Sequence, residues 1–388
     1  MQDIPRPPEA PVPLTGPGSP FQLAVGGAAL TLGLFILVGS AVQLLNPAFG
    51  IWFTELFIFL GVGWVMLRFS GWRPQVYTGL AGVPRAATLF GFLLGVANFF
   101  ALVVPIQFTA QQLAPKWLTE LFDATRLFEG QTTLELALLL GGVTVAAPLC
   151  EEFFFRGIFQ KGLASQPPAS PMRALVVSSV VFSAFHLDPV GFAARVELGL
   201  LFGWLYLRTG SLWPSIAAHA ANNSVSAVLF LLAKALGQEA GEASDTDPRA
   251  VLGLAALGWV AVLGLRSVAR HYPAVWAPKP EPTEAEIREA EPRPSLARLL
   301  LPWVLTSTVA LGVLAAVDAR GTLLNLHDAQ HKLPPLPRDA PPGLQAEREA
   351  LKALRAAARR GELPMEAYQE ERARQLQAHR QAMGPPKP

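Results

Sequence analysis

The chain has 388 residues, 51% of them hydrophobic and 15% charged, with 31 Lys and Arg against 29 Asp and Glu. Soluble domains carry about 25% charged residues, so this composition excludes an ordinary water-soluble enzyme, the more so because 21 of the charges lie from Asp318 onward and 11 between Arg266 and Arg298. A formal charge of +2 with no basic stripe gives no footprint for nucleic acid, and a single cysteine, Cys150, excludes an internal disulfide framework and a thiolate metal cluster.

Residues 1–20 are rich in proline and poor in charge, the composition of an extended or disordered tail. Phe21–Leu45 is an uncharged stretch of 25 residues, too long for a signal-peptide apolar region, and reads as a retained membrane helix. Further apolar runs follow at Ile51–Leu67, Ala86–Ile106, Leu134–Phe159, Met172–Leu187, Val190–Leu207, Leu212–Leu236, Ala250–Leu265 and Leu299–Val317. The expected fold is therefore all-α, a polytopic transmembrane helix bundle of about nine spans, with Pro105, Pro148 and Pro214 placed to kink or end helices.

Loop charges give the expected orientation, because short cytoplasmic loops collect Lys and Arg. Arg68, Arg73 and Arg85, then Arg156, Lys161 and Arg173, then Arg208, then Arg266 and Arg270 mark alternate loops as inside. The loops between them carry Glu120, Asp123 and Glu129, or Glu239, Glu242, Asp245 and Asp247. This places the amino terminus inside and the carboxyl-terminal tail outside an inner (plasma) membrane.

Pro278–Pro294 and Leu333–Pro342 read as proline-rich linkers. Beyond the second, Gln345–Arg360 and Met365–Ala382 have helical spacing and are separated by Gly361, the pattern of a helical hairpin. The string from Gly361 to Tyr368 (GELPMEAY) resembles the SHOCT motif of bacterial protein termini, which implies self-association or partner contact; the alternative is a solvated charged tail.

Ionisable side chains inside apolar spans need a reason, since each costs about 2.5–3.5 kcal/mol at a helix centre on insertion scales. The fourth span carries Glu151, Glu152 and Arg156 (EEFFFR), the fifth ends in Phe182 and His186 (FSAFH), and the seventh holds His219, Asn222 and Asn223 (HAANN). Residues four apart share a helix face, so Glu152 reaches Arg156, Phe182 lies beside His186, and His219 aligns with Asn223 rather than Asn222. Glu151 sits about 100° around from Glu152, so the two carboxylates are free to do different jobs. A base, a group to orient it and donors for an oxyanion are all present: a water between Glu151 and His186 can lose a proton to the carboxylate and attack a peptide carbonyl, with His219 and Asn223 stabilising the oxyanion. Taken singly, each of these residues has a plainer role in packing or interhelical hydrogen bonding.

Together the three strings resemble the intramembrane glutamic protease family named for CAAX-processing proteases and bacteriocin-processing or immunity proteins (CPBP, or Abi), related to the Rce1-type CAAX endopeptidase. That family's Glu-Glu-x-x-x-Arg, Phe-x-x-x-His and His-x-x-x-Asn strings match Glu151–Arg156, Phe182–His186 and His219–Asn223 in order. The resemblance implies Glu151 as water-activating base, His186 as its assistant, His219 with Asn223 as oxyanion site, and supporting roles for Glu152 and Arg156. It also implies no metal cofactor and a hydrophobic or lipid-modified protein or peptide substrate reached through membrane lipid: a CAAX-type tail, a maturing peptide or a carboxyl-terminal sorting signal. The domain organisation expected from this is a tail (1–20), amino-terminal spans (21–133), a catalytic core (134–236), additional spans with a linker (237–317) and a soluble tail (318–388).

Three other classes remain open on sequence. A zinc enzyme can be built from a Glu/His/His set, although here no two histidines sit at i and i+4 on one span. A transporter or proton relay would use Glu55 with Arg195 and Glu197, but no inverted repeat or half-helix pair accompanies them. A scaffold or immunity protein would keep the motifs and act by holding a partner.

Overall fold

The protein is described here from a computed structural model that covers residues 19–82, 84–122, 128, 132–165, 170–236, 247–273, 282–288, 294–333 and 342–383. Most of the expected tail 1–20, most of both proline-rich linkers, and Asp123, Glu129, Glu239, Glu242 and Asp245 lie outside the described residues. Among the described residues there is no β-strand.

Among the described residues nine apolar helices follow one another: α1 (Pro20–Leu45), α2 (Pro47–Phe69), α3 (Arg85–Leu113), α4 (Thr133–Ala164), α5 (Pro171–Phe185), α6 (Phe192–Thr209), α7 (Leu212–Ala235), α8 (Pro248–His271) and α9 (Leu296–Val317). Each expected span falls on one of them. All but α5 and α6, seven helices in total, are long and apolar enough to cross a membrane, and the chain is a multi-pass membrane protein. The remaining two are different in kind: α5 has 15 residues and α6 carries Arg195, Glu197 and Arg208. At 1.5 Å per residue α5 spans about 22 Å, short of a hydrocarbon core of about 30 Å.

The helix starts are written locally. Ser19 and Gln22 form a reciprocal capping box ahead of α1, as Thr132 and Glu135 do ahead of α4, while Asn46, Ser170, Ser211, Asp247 and Ser295 cap α2, α5, α7, α8 and α9. Each such cap contributes about 0.5–2 kcal/mol by satisfying a first-turn N–H. The prolines expected to kink or end helices do not end them. Pro105 and Pro148 lie just after the π-helical turns Phe99–Val103 and Gly142–Ala146, and the wider turn absorbs the missing donor and the ring's clash with the preceding carbonyl; Pro214 sits in the first turn of α7, where no donor is needed.

Helix α7 is clamped against α3 through Gly91 and Gly95. A Cβ at either position would lie 2.4 Å from the carbonyl oxygen of Pro214 or Ala218, so only glycine permits this approach. The core inside this frame is aromatic, built around Phe59, Phe153, Phe154, Phe155, Phe182, Phe185 and Phe202.

Contacts between the helix ends show that the nine helices alternate in direction. At one end the Arg73 amide donates to the Ile287 carbonyl (2.7 Å), Leu212 N and Trp213 Nε1 donate to the carbonyls of Gly79 and Leu80, and Pro20 lies against Gly162. At the other end Asn46 donates to Asp318 (3.0 Å). The arginine-bearing loops thus share one end, as the charge pattern requires, with one correction: Arg156 is no loop residue but is fully buried within α4.

The tail forms α10 (Ala319–Gln330), α11 (Pro342–Arg360) and α12 (Met365–Met383). It packs on a small core of Leu324, Leu351, Ala358 and Tyr368 and docks on the bundle at the Asn46 end. Arg359 pairs with both Glu135, at the start of α4, and Asp318, after α9; Asn325 reaches the Leu45 carbonyl. The hairpin is therefore not a free solvated tail but is bound to its own membrane domain.

Candidate functional site

The three motif strings converge where α4, α5, α6 and α7 meet. Arg156, 0% exposed, donates through Nη1 to Glu152 Oε1 at 2.8 Å and through Nη2 to the Gly199 carbonyl at 3.1 Å. Its guanidinium carbon lies 4.5 Å from the Phe182 ring centre and 5.4 Å from that of Phe202, so aromatic faces replace part of its lost hydration. The same Glu152 oxygen lies 2.9 Å from His219 Nδ1. A carboxylate that already accepts from arginine accepts here also, so the His219 ring donates through Nδ1. The ring is further held flat against Phe202, with centroids 4.7 Å apart and planes at 18°.

This chain of contacts decides which nitrogen is left over. With Nδ1 committed to Glu152, His219 Nε2 faces Glu151, whose Oε2 is 4.0 Å away. Glu151 is 7% exposed, and Oε2 is sealed from solvent without a hydrogen-bond partner among the described residues. The adjacent glutamates therefore differ in their contacts: Glu152 Oε1 holds both Arg156 and His219 while its Oε2 has no partner among the described residues, and Glu151 makes only the longer approach to His219.

His186 lies just past the end of α5, not within it. Its Nδ1 is 2.9 Å from the Phe182 carbonyl, which can only accept, so Nε2 is the free ring nitrogen. The Phe182 ring stands between the two imidazoles, 5.0 Å from His186 and 5.9 Å from His219. The turn after His186 is constrained: Leu187 has φ 52°, a region costly for a side chain with a Cβ, and Asp188 holds the turn by accepting from Val190 N, Gly191 N and Arg195 Nη1. Because α5 is short, this polar tip sits within the thickness of the bundle.

Asn223 is brought to the same region but its amide is engaged, donating to the Val143 carbonyl on α4 at 2.8 Å while its Oδ1 accepts from Asn222. One N–H of the amide remains for another acceptor. Asn222, which helical spacing set aside, is the more buried of the two, and its Oδ1 lacks a partner among the described residues. Glu55, weighed on sequence as a relay residue with Arg195 and Glu197, is buried in α2 with its Oε2 lacking a partner among the described residues. Glu197, the other candidate relay residue, is held by Asn98 at 3.0 Å. Among the described residues no group of three or more His, Cys, Asp or Glu has metal-holding geometry.

Residues 133–225, which contain all three strings, match the family described as Type II CAAX prenyl endopeptidase Rce1-like. The chain is also 30% identical over 88 residues to a Bacillus subtilis (strain 168) protein named "Putative membrane peptidase YdiL"; the match covers 23% of this chain and 35% of that protein. The chain thus aligns with about a third of the length of this curated relative. No solved structure matches.

Proposed function

We propose that this Rce1-like segment is the working part of an intramembrane endopeptidase that hydrolyses a peptide bond in a hydrophobic, membrane-associated protein or peptide. The observation that carries the reading is the unspent Glu151 carboxylate, buried 4.0 Å from His219 Nε2, on an imidazole whose other nitrogen is tied through Glu152 to Arg156.

In the proposed reaction, Glu151 removes a proton from a water held near His186 Nε2, and the water oxygen attacks the carbonyl carbon. The carbonyl oxygen becomes an oxyanion, stabilised by the spare Asn223 N–H and by His219 when its Nε2 is protonated. Collapse breaks the C–N bond, and Glu151 returns its proton to the departing amine. Water is consumed, a carboxylate and an amine are produced, and no covalent enzyme intermediate forms. Glu152 and Arg156 position the His219 ring and touch no substrate. The match to a CAAX prenyl endopeptidase family supports a lipid-modified tail as one substrate class, with a maturing peptide or sorting signal as others. The hairpin's docking on the bundle favours an intramolecular role over self-association.

The test is quantitative analysis of protein termini in membranes from cells carrying the wild type or Glu151→Gln at matched levels. Defined new termini on hydrophobic proteins should be present with the wild type and absent with the variant. Identical termini in both, with the biological role intact in both, would overturn the peptidase reading in favour of a scaffold.

A further inference from the structure

The pair formed by α5 and α6 stops short of crossing the bundle, and its tip lies beside the candidate site. Both helices are rooted at the arginine end: α5 follows α4, which ends with Gly162 against Pro20, and the cap of α6, Gly210, lies against Gly79. The height of the tip is fixed by the 3.0 Å bond from Asn98 on α3 to Glu197 on α6. From that level α3 runs on to Leu113, about 22 Å at 1.5 Å per residue, whereas α6 reaches back only to Phe192, about 8 Å. The tip is therefore roughly 15 Å below the tail end of α3. Helix α7, clamped to α3 at Ala218 and Gly95, likewise continues to Ala235.

Burial changes at the same level. On the arginine side of the site the packing is closed, with Arg156, Ser178, Ser179, Ser211 and Leu212 all without exposed surface. On the tail side it opens: α7 buries no residue beyond Asn222, and α3 buries none from Val104 to Leu113. At the tip Leu187 is 55% exposed. His186 directly precedes it and Asn223 lies one turn nearer the tail end than His219; both are half-buried, whereas Glu151 and His219 are buried. The floor of this recess is polar. Asp188 and Arg195 pair at 2.7 Å with 14% and 25% of their side chains exposed, and an ion pair open to hydrocarbon at this depth is costly. Water or a polar ligand covering the tip removes that cost, and the last turns of α3 add Gln107, Gln111 and Gln112.

We propose that the scissile bond reaches Glu151 from the tail end, down the recess over the α5–α6 tip, and that the substrate is a membrane-associated chain cut on that side. The loop charges put the tail end outside. The substrate class that fits is then a maturing exported peptide or a carboxyl-terminal sorting segment, in preference to a cytoplasmic lipid-modified tail. This rests on the peptidase reading for what is cut, but the side from which the tip is reached is a property of the fold whether or not a peptide is cleaved.

The test labels introduced cysteines in the full chain with a charged, membrane-impermeant thiol reagent, in intact cells and in inverted membrane vesicles. Wild type is the blank, because Cys150 is fully buried. Arg85→Cys and Glu362→Cys, exposed at the arginine end and on the tail's hairpin turn, report the two sides. Leu187→Cys and Phe192→Cys should label from the side that labels Glu362→Cys; two tip positions are used so that one badly folded variant does not decide the result. Labelling of a tip position from the Arg85 side, or of neither position from either side, overturns the proposal. The second arm counts new protein termini. Labelling Leu187→Cys from the tail side should abolish the cleavage that the unlabelled variant retains, and the termini that depend on Glu151 should map to segments on the tail side. Undiminished cleavage after complete labelling, or termini confined to segments on the arginine side, overturns it. Termini indifferent to Glu151→Gln would sink the peptidase reading and leave the labelling result standing, so the two failures are distinct.

Discussion

The Arg156–Glu152–His219 relay makes a prediction in which stability and activity part company. Replacing Arg156 by Met leaves the Glu152 carboxylate fully buried without its guanidinium partner, now 2.8 Å away, and removes the second donor of the Gly199 carbonyl, which keeps its place in the α6 ladder. Breaking a buried ion pair from one side costs about 3–5 kcal/mol, and Glu152→Leu should cost about the same by stranding Arg156 between two aromatic rings. The double variant removes both charges and fills the space with apolar volume, which is close to neutral for such pairs, so it should be more stable than either single variant. The coupling energy in a double-mutant cycle should therefore reach at least about 2 kcal/mol. Catalysis should not follow stability, because the double variant has no acceptor for His219 Nδ1 and the ring is free to turn; cleavage is expected to stay down by about 10²-fold or more. Denaturation in detergent micelles gives the first quantity and counting of new termini gives the second. Strictly additive destabilisation would refute the pairing energetics, and recovery of cleavage in the double variant would refute Glu152 as the group that sets the ring.

Three further outcomes are expected. Thorough chelation, verified by metal analysis, should leave cleavage unchanged if Glu151 acts on water directly; activity that vanishes and returns with added zinc would show that the chemistry runs through a metal. Arg359→Ala removes the partner of Glu135 and Asp318, so α11 and α12 should become open to added protease while the membrane helices stay protected; an unchanged tail digestion pattern would refute the latch. The tail should also loosen in acid: burial and the neighbouring His331 hold His327 below the usual histidine value, so the folded tail resists protonation. Its full stability lies above the unfolded value near 6.5 and falls as pH drops from there through the lower folded value; protease resistance that rises on acidification would contradict this.

The nine helices were legible because lipid-facing runs need no alternation, and the three motif strings because spacing by four residues places their members on one face. What escaped notice depended on contacts between distant helices. Arg156 was counted both within the fourth span, beside Glu152, and among the topology charges after it, and nothing local shows that Phe182 and Phe202, on two other helices, would close over it. Pro148 looked like a helix end because the preceding π-helical turn has no sequence signature as plain as its proline. Asn223 was expected as a free donor, and its tie to Val143 arises only when α7 meets α4. Glu55 read as one member of a relay with Arg195 and Glu197, and that grouping gives way because Arg195 pairs with Asp188 and Glu197 with Asn98. The tail's hairpin was readable from Gly361, but its docking through Arg359 on Glu135, 224 residues earlier, was not.

The docking at Asn46 also sets a clock. Asn46 and its partner Asp318 are 272 residues apart, and Asn325, which reaches the Leu45 carbonyl, is made later still. At a synthesis rate of about 5–20 residues per second, the corner between α1 and α2 waits roughly 15–50 s for the groups that close it. During that interval α1, α2 and the start of α4 are already made, with Asn46 and Glu135 capping their own helices but without their tail partners. A chain stalled or truncated before α10 therefore presents a complete Rce1-like segment with an open corner.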